Sequence, residues 1–241
     1  MEKSVTSFMD EIRRKLELLE SSLPKQVDGW ALSQMSKLPF KVLGYRGALA
    51  WKMAELSRAA FEDFEKDKLA AAIVLTRAAV ETSAALWYLR GKVEASVESS
   101  EVGDIDDYLM KMNMGMATDP PTDPETGEAV MPRPIKIGKF LDSVEKDVAG
   151  FNRQYGYLSE YAHPNWAGTV YLYSKFDKER ATADFGQNIR KPDGAKVIGV
   201  GNLSVALLLF ERSYNRVADL IPDFTKLCEE RLKKAASSST P

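Results

Sequence analysis

Arg77 and Glu81 stand four residues apart inside the apolar run LAAAIVLTRAAVETSAALWYL (69–89), in which they are the only charges. On a helix that spacing puts both on one face with Ala70, Val74, Ala84 and Tyr88. Burying a guanidinium and a carboxylate on such a face costs on the order of several kcal/mol per ion before pairing. Each ion therefore needs the other and further hydrogen-bonding groups opposite it. The segment YGYLSEYAHPN (155–165) offers them: hydroxyls, a carboxylate and His163, the one histidine of the chain. Ser159 and His163 are also four apart and share a face with Asn152 and Gly156. A histidine at a helix C-terminus, where the dipole favours a cation, suits proton donation or contact with a phosphate.

Two readings of these residues stand side by side. In the functional one, His163, Arg77, Glu81 and Ser159 form a catalytic set, with Tyr155, Tyr157, Asn165 and Arg153 as ligand contacts. In the structural one, the ion pair fixes how a central helix packs and His163 is a C-cap before Pro164.

Other chemistry is excluded or weak. One cysteine, Cys228, permits no intrachain disulfide, and a single histidine leaves no Cys/His zinc site. Asp104, Asp106 and Asp107 read as acids at a helix start rather than cation ligands, and Cys228 in FTKLCEERL reads as packing. GYRG at 44–47 and GVGN at 199–202 fit neither a P-loop nor a dinucleotide fingerprint, and there is no nucleophile elbow. No metal and no cofactor is expected. Lys plus Arg total 33 against 35 Asp plus Glu, a net charge of −2 that excludes a strongly basic nucleic-acid coat. Arg133, Lys136, Lys139, Arg153 and Lys175 are scattered and read as a solvated face.

The elements that must position these groups are mostly helical. Residues 4–19 form an amphipathic helix rather than a signal sequence, and a helix from about 39 to 66 carries Leu49, Met53, Leu56, Ala60 and Phe64 at spacings of three and four. Asp67 is the expected N-cap of a helix over 68–97, whose internal charges argue for a buried core helix and against a membrane span. A short helix over 104–114 leads into a Pro-rich loop at 117–134, expected to be an insertion rather than a lid. Helices follow over 135–148 and 151–162. Residues 168–200 are read as a hairpin of TVYLYSKF and ATADFG followed by a loop containing Pro192, Gly194, Gly199 and Gly201. A helix over 202–236, bent or broken at Pro222, and a disordered tail at 237–241 complete the chain. The expectation is one mainly α domain over 1–236, with 1–38 as its N-terminal helix and loop, in a cytoplasmic protein.

The pair of motifs, Arg-x-x-x-Glu in an apolar helix and Tyr-x-x-Leu-Ser-x-x-x-His-Pro about eighty residues later, resembles a group of bacterial helical proteins built on a HEPN-like bundle. The resemblance covers 41–166. It implies a HEPN-like helical bundle with a small β-hairpin insertion, a homodimer, and RNA, a nucleotide or another protein as partner. Active HEPN ribonucleases carry Arg, four to six residues, then His; the corresponding positions here are Gly156, Tyr157 and Leu158. Without that arginine, the resemblance implies a binding or regulatory module in phage defence or stress response. The alternative it implies is a metal-independent endoribonuclease in which His163 acts as acid or base, Arg77 stabilises the phosphorane and Glu81 orients Arg77.

Overall fold

The computed structural model describes residues 2–238. It is mainly α-helical with one two-stranded antiparallel hairpin. Helix α1 (Glu2–Ser21) buries Ile12 and Leu16 completely, with Val5, Met9 and Leu19 continuing the same stripe. A single turn, α2 (Gly29–Leu32), is capped by the Asp28 carboxylate, which accepts from the Trp30 and Ala31 N–H groups. Helix α3 (Leu38–Glu65) has Pro39 in its first turn and buries Val42, Leu49, Met53, Ala60 and Phe64. Helix α4 (Leu69–Ser99) is the centre of the molecule, ends on Ser100 in the left-handed conformation, and packs against α3 and against the long last helix.

Asp67 does not cap α4. It lies at φ +52, Lys68 takes the cap position without a side-chain bond, and the Asp67 carboxylate pairs with Lys196 instead. Its carbonyl accepts from Gln187 and Asn188. A residue in the left-handed region cannot hold the extended geometry of an N-cap, and tertiary partners from a distant segment win.

Helix α5 (Ile105–Met114) opens with Asp106 and Asp107. The Pro-rich segment after it is folded rather than free: the Met116 N–H donates to the Pro132 carbonyl at 3.0 Å, and Thr122 bridges Ala129. Helices α6 (Ile137–Glu145) and α7 (Phe151–Ala162) follow at the expected places. The Glu145 carboxylate joins them, accepting from the N–H groups of Gly150 (2.8 Å) and Asn152 (2.7 Å), so it caps α7 from outside.

The expected first strand starts too early in the sequence reading. Asn165 accepts the Gly168 N–H at 3.1 Å and caps a π-helical turn, Trp166–Val170, which runs into α8 (Tyr171–Tyr173) and buries Leu172. Only Ser174–Asp177 (β1) and Thr182–Phe185 (β2) are strands, paired Ser174 with Phe185 and Asp177 with Thr182. The aromatic and β-branched residues of TVYLY suggest a strand locally, but the side-chain cap and the buried leucine favour the helical path.

The last helix, α9 (Asp193–Ser238), begins nine residues before its expected start and runs through Pro222. Gly194, Gly199 and Gly201, read as a loop, are helical. At Gly199 a Cβ would stand 2.5 Å from Phe64 Cζ and 3.1 Å from Ile73 Cγ1, so the missing side chain is what lets α9 approach α3 and α4. Ser237, assigned to a disordered tail, also lies in α9; positions 239–241 fall outside the described residues. Two helical stretches, Leu69–Ser99 and Asp193–Ser237, are long and apolar enough to cross a membrane by length and composition, where the sequence reading found one; α4 and α9 cover each other and most of each apolar window is buried.

Candidate functional site

The spacing argument holds in three dimensions: α7 packs across α4 and brings Tyr155 and Ser159 onto Arg77 and Glu81. Arg77 donates to the Tyr155 hydroxyl at 2.5 Å and, through Nε, to Ser159 Oγ at 3.2 Å. The Tyr155 hydroxyl donates onward to Glu81 Oε1 at 2.6 Å, and the Arg77–Glu81 ion pair itself spans 3.3 Å. Ser159 Oγ donates to the Tyr155 carbonyl at 3.1 Å, and the guanidinium carbon lies 5.0 Å from the centre of the Tyr155 ring. Desolvation, with the bond to Glu81 next in weight, pushes the Tyr155 phenol above its ordinary value and keeps it a donor.

The ion pair is not fully buried. The Arg77 and Glu81 side chains keep 33% and 29% of their accessibility, because Val74 on the same face is exposed while Ala84 is buried. The desolvation cost is correspondingly smaller than for a core pair.

His163 is the C-cap of α7: its N–H donates to the Ser159 carbonyl at 3.1 Å and its backbone is extended before Pro164. Its side chain is exposed, and among the described residues no group hydrogen-bonds the imidazole. It lines a shallow groove with Ala70, Val74, Leu75, Tyr161 and Gly168. The other described residues lining that groove include neither lysine nor arginine. Gly168 also lines the groove, and a Cβ there would come 2.1 Å from the His163 carbonyl oxygen and 2.6 Å from that of Tyr161. Sequence reading placed Val74 on the Arg77–Glu81 face without expecting it to line a groove, and gave Gly168 no role at the site.

The remaining candidates lie apart from the network. Asn165 is occupied structurally, donating to Glu160 at 2.6 Å and capping the π-helical turn. Tyr157 is 43% exposed on α7, and Arg153 is exposed beside the Glu145 carboxylate, which it helps hold below the ordinary value behind the Asn152 and Gly150 N–H groups. Among the described residues no group of three or more His, Cys, Asp or Glu is placed to hold a metal ion. Asp106 pairs with Lys41 and Asp107 with Lys111. Cys228 is buried, which pushes its thiol up to about 11 and leaves it unreactive.

Neither protein-family models, curated proteins nor solved structures give a match to this chain.

Proposed function

We propose that this chain is a HEPN-like binding module for another protein, with a regulatory role in bacterial phage defence or stress response, and that its Arg77, Glu81, Tyr155 and Ser159 network is a clamp between α4 and α7. The observation that carries this reading is the composition of the groove at His163: apolar walls and no lysine or arginine among its described lining residues. A nuclease site has to hold a phosphate backbone, which requires cations. Arg77, the nearest guanidinium in the motif, is already held by Tyr155, Ser159 and Glu81. The apolar groove suits a protein surface better than a polyanion.

The exposed imidazole supports the second reading, a metal-independent endoribonuclease with His163 as acid or base, since a reacting group has to meet its substrate. Purified protein and His163→Ala incubated with a mixed pool of labelled RNAs, with and without EDTA, separate the two. The binding-module reading expects no cleavage by either protein and the same melting temperature for both. EDTA-resistant cleavage by wild type that disappears in His163→Ala overturns it.

A further inference from the structure

The hairpin leaves both a face and an edge uncovered. Directly paired residues share a face of an antiparallel sheet, so Phe176, Phe185 and the buried Ser174 lie on one side, and Lys175 and Asp177 on the other. Phe176 is 53% exposed and Phe185 77%, an apolar face on a ribbon of four residues per strand, which is marginal on its own.

The edge follows from the phase of the hydrogen bonds. The Gly186 N–H donates to the Tyr173 carbonyl at 3.0 Å, which makes that a hydrogen-bonded pair in the hairpin's register. By alternation Lys175 with Asp184 and Asp177 with Thr182 are hydrogen-bonded pairs, and the main-chain N–H and C=O groups of Ser174 and Phe176 point away from β2. Arg190 Nε donates to the outward Ser174 carbonyl at 2.7 Å, as this phase requires. The outward groups of Phe176 have no such partner among the described residues.

We infer that β1 pairs antiparallel with β1 of a second copy of this chain, about a two-fold axis at Phe176, to make a four-stranded sheet. The strand's own side chains select that occupant. With the axis at Phe176, Lys175 of each copy stands opposite Asp177 of the other, so two opposite-charge pairs form on the polar face. On the apolar face the two Phe176 rings come side by side with Phe185 flanking each, and the two Phe176 residues exchange both main-chain hydrogen bonds. The outward main-chain groups of β2 belong to Ala183 and Phe185, and an axis at either sets Asp184 opposite Thr182 or Gly186, so that edge gains no opposite-charge pair. The contact is isologous and closes, and its small size makes the dimer weak and concentration-dependent.

Sedimentation velocity of the full chain from about 5 to about 500 µM tests it, with a dissociation constant of tens of micromolar expected. Phe176→Pro removes an N–H that β2 does not use; it keeps the helical circular dichroism and melting temperature while weakening the dimer by about tenfold or more. Phe176→Cys is joined to its copy by a short bis-maleimide cross-linker, because a hydrogen-bonded pair holds its Cα atoms about 5.5 Å apart; the buried Cys228 does not compete. The inference is overturned by a wild type that stays monomeric throughout, by a dimer indifferent to Phe176→Pro, or by a Phe176→Cys protein that does not cross-link at concentrations where the wild type is dimeric. None of these results depends on whether the His163 groove binds a partner.

Discussion

Arg77→Ala and Tyr155→Phe, made singly and together, measure how tightly α7 is clamped to α4. Tyr155→Phe removes only the hydroxyl, which accepts from Arg77 at 2.5 Å and donates to Glu81 at 2.6 Å. Hydrogen bonds to charged groups contribute about 1.5–3 kcal/mol when buried. With the two ions about a third exposed, solvent screening brings the loss to about 1–2 kcal/mol. Arg77→Ala removes the bonds to Tyr155 and Ser159, the ring contact and the 3.3 Å ion pair, for a loss of about 2 kcal/mol. Because the Arg77–Tyr155 bond is lost in either single mutant, the two changes share one interaction, and the double mutant loses about 1 kcal/mol less than their sum. Urea unfolding of the four proteins reads this coupling directly. In thermal melts, about 2–4 °C per kcal/mol at this chain length puts Arg77→Ala some 4–8 °C below wild type. Single losses that add within about 0.3–0.5 kcal/mol refute a shared clamp, and an Arg77→Ala protein as stable as wild type refutes the structural role altogether.

Gly199→Ala forces a methyl against Phe64 and Ile73 and lowers stability by about 1–3 kcal/mol, seen as a melting temperature about 2–12 °C lower; an unchanged melt means that α9 does not approach as closely as described. Burial pushes the phenols of Tyr45 and Tyr88 up to about 12 from 10.0, with Tyr108 adding to the second. The folded chain therefore holds protons that the unfolded chain releases, and stability that is present below pH 10 is lost as pH rises toward 12. Melting temperature against pH checks this, with Tyr88→Phe expected to flatten the fall. At the acid end, Arg58 grips Glu20 through two bonds of 2.8 and 2.6 Å and holds its carboxyl below the ordinary value. The contribution is present above pH 4.5 and lost as pH falls through the folded value, so Glu20→Gln, about 0.5–1 kcal/mol less stable at neutral pH, converges with wild type in acid melts.

The helices that carried their own periodicity were readable in advance. Of the stripe, Leu49, Met53, Ala60 and Phe64 are buried and Leu56 is half-buried, and α7 stops before Pro164 as expected, while α6 ends at Glu145, three residues short of its expected end. The network was readable for the same reason: two charges at helical spacing in an apolar run demand polar partners, and the second motif supplies hydroxyls at helical spacing. His163 was placed correctly at a helix end, but whether it joined the network was not readable. A residue one turn past Ser159 can face the same neighbour or solvent, and that depends on how α7 lies across α4.

What the sequence by itself determined about this protein is its set of long helices, the break at Pro164 and the need of Arg77 and Glu81 for each other and for polar groups from 155–165, because spacing along a helix fixes which side chains share a face; that Tyr155, read as a ligand contact, joins Arg77, Glu81 and Ser159 while His163 stays out of the network was decided by packing. Tertiary structure decided the rest. It turned Gly194, Gly199 and Gly201 from loop to helix because α9 gains a close approach to Phe64 and Ile73 that outweighs glycine's poor helix propensity. It drew Asp67 away from a capping role toward Lys196, and it left the Arg77–Glu81 pair about a third exposed. Each of these outcomes rests on contacts between segments far apart in the chain, and local pattern carries no information about which distant surface will arrive.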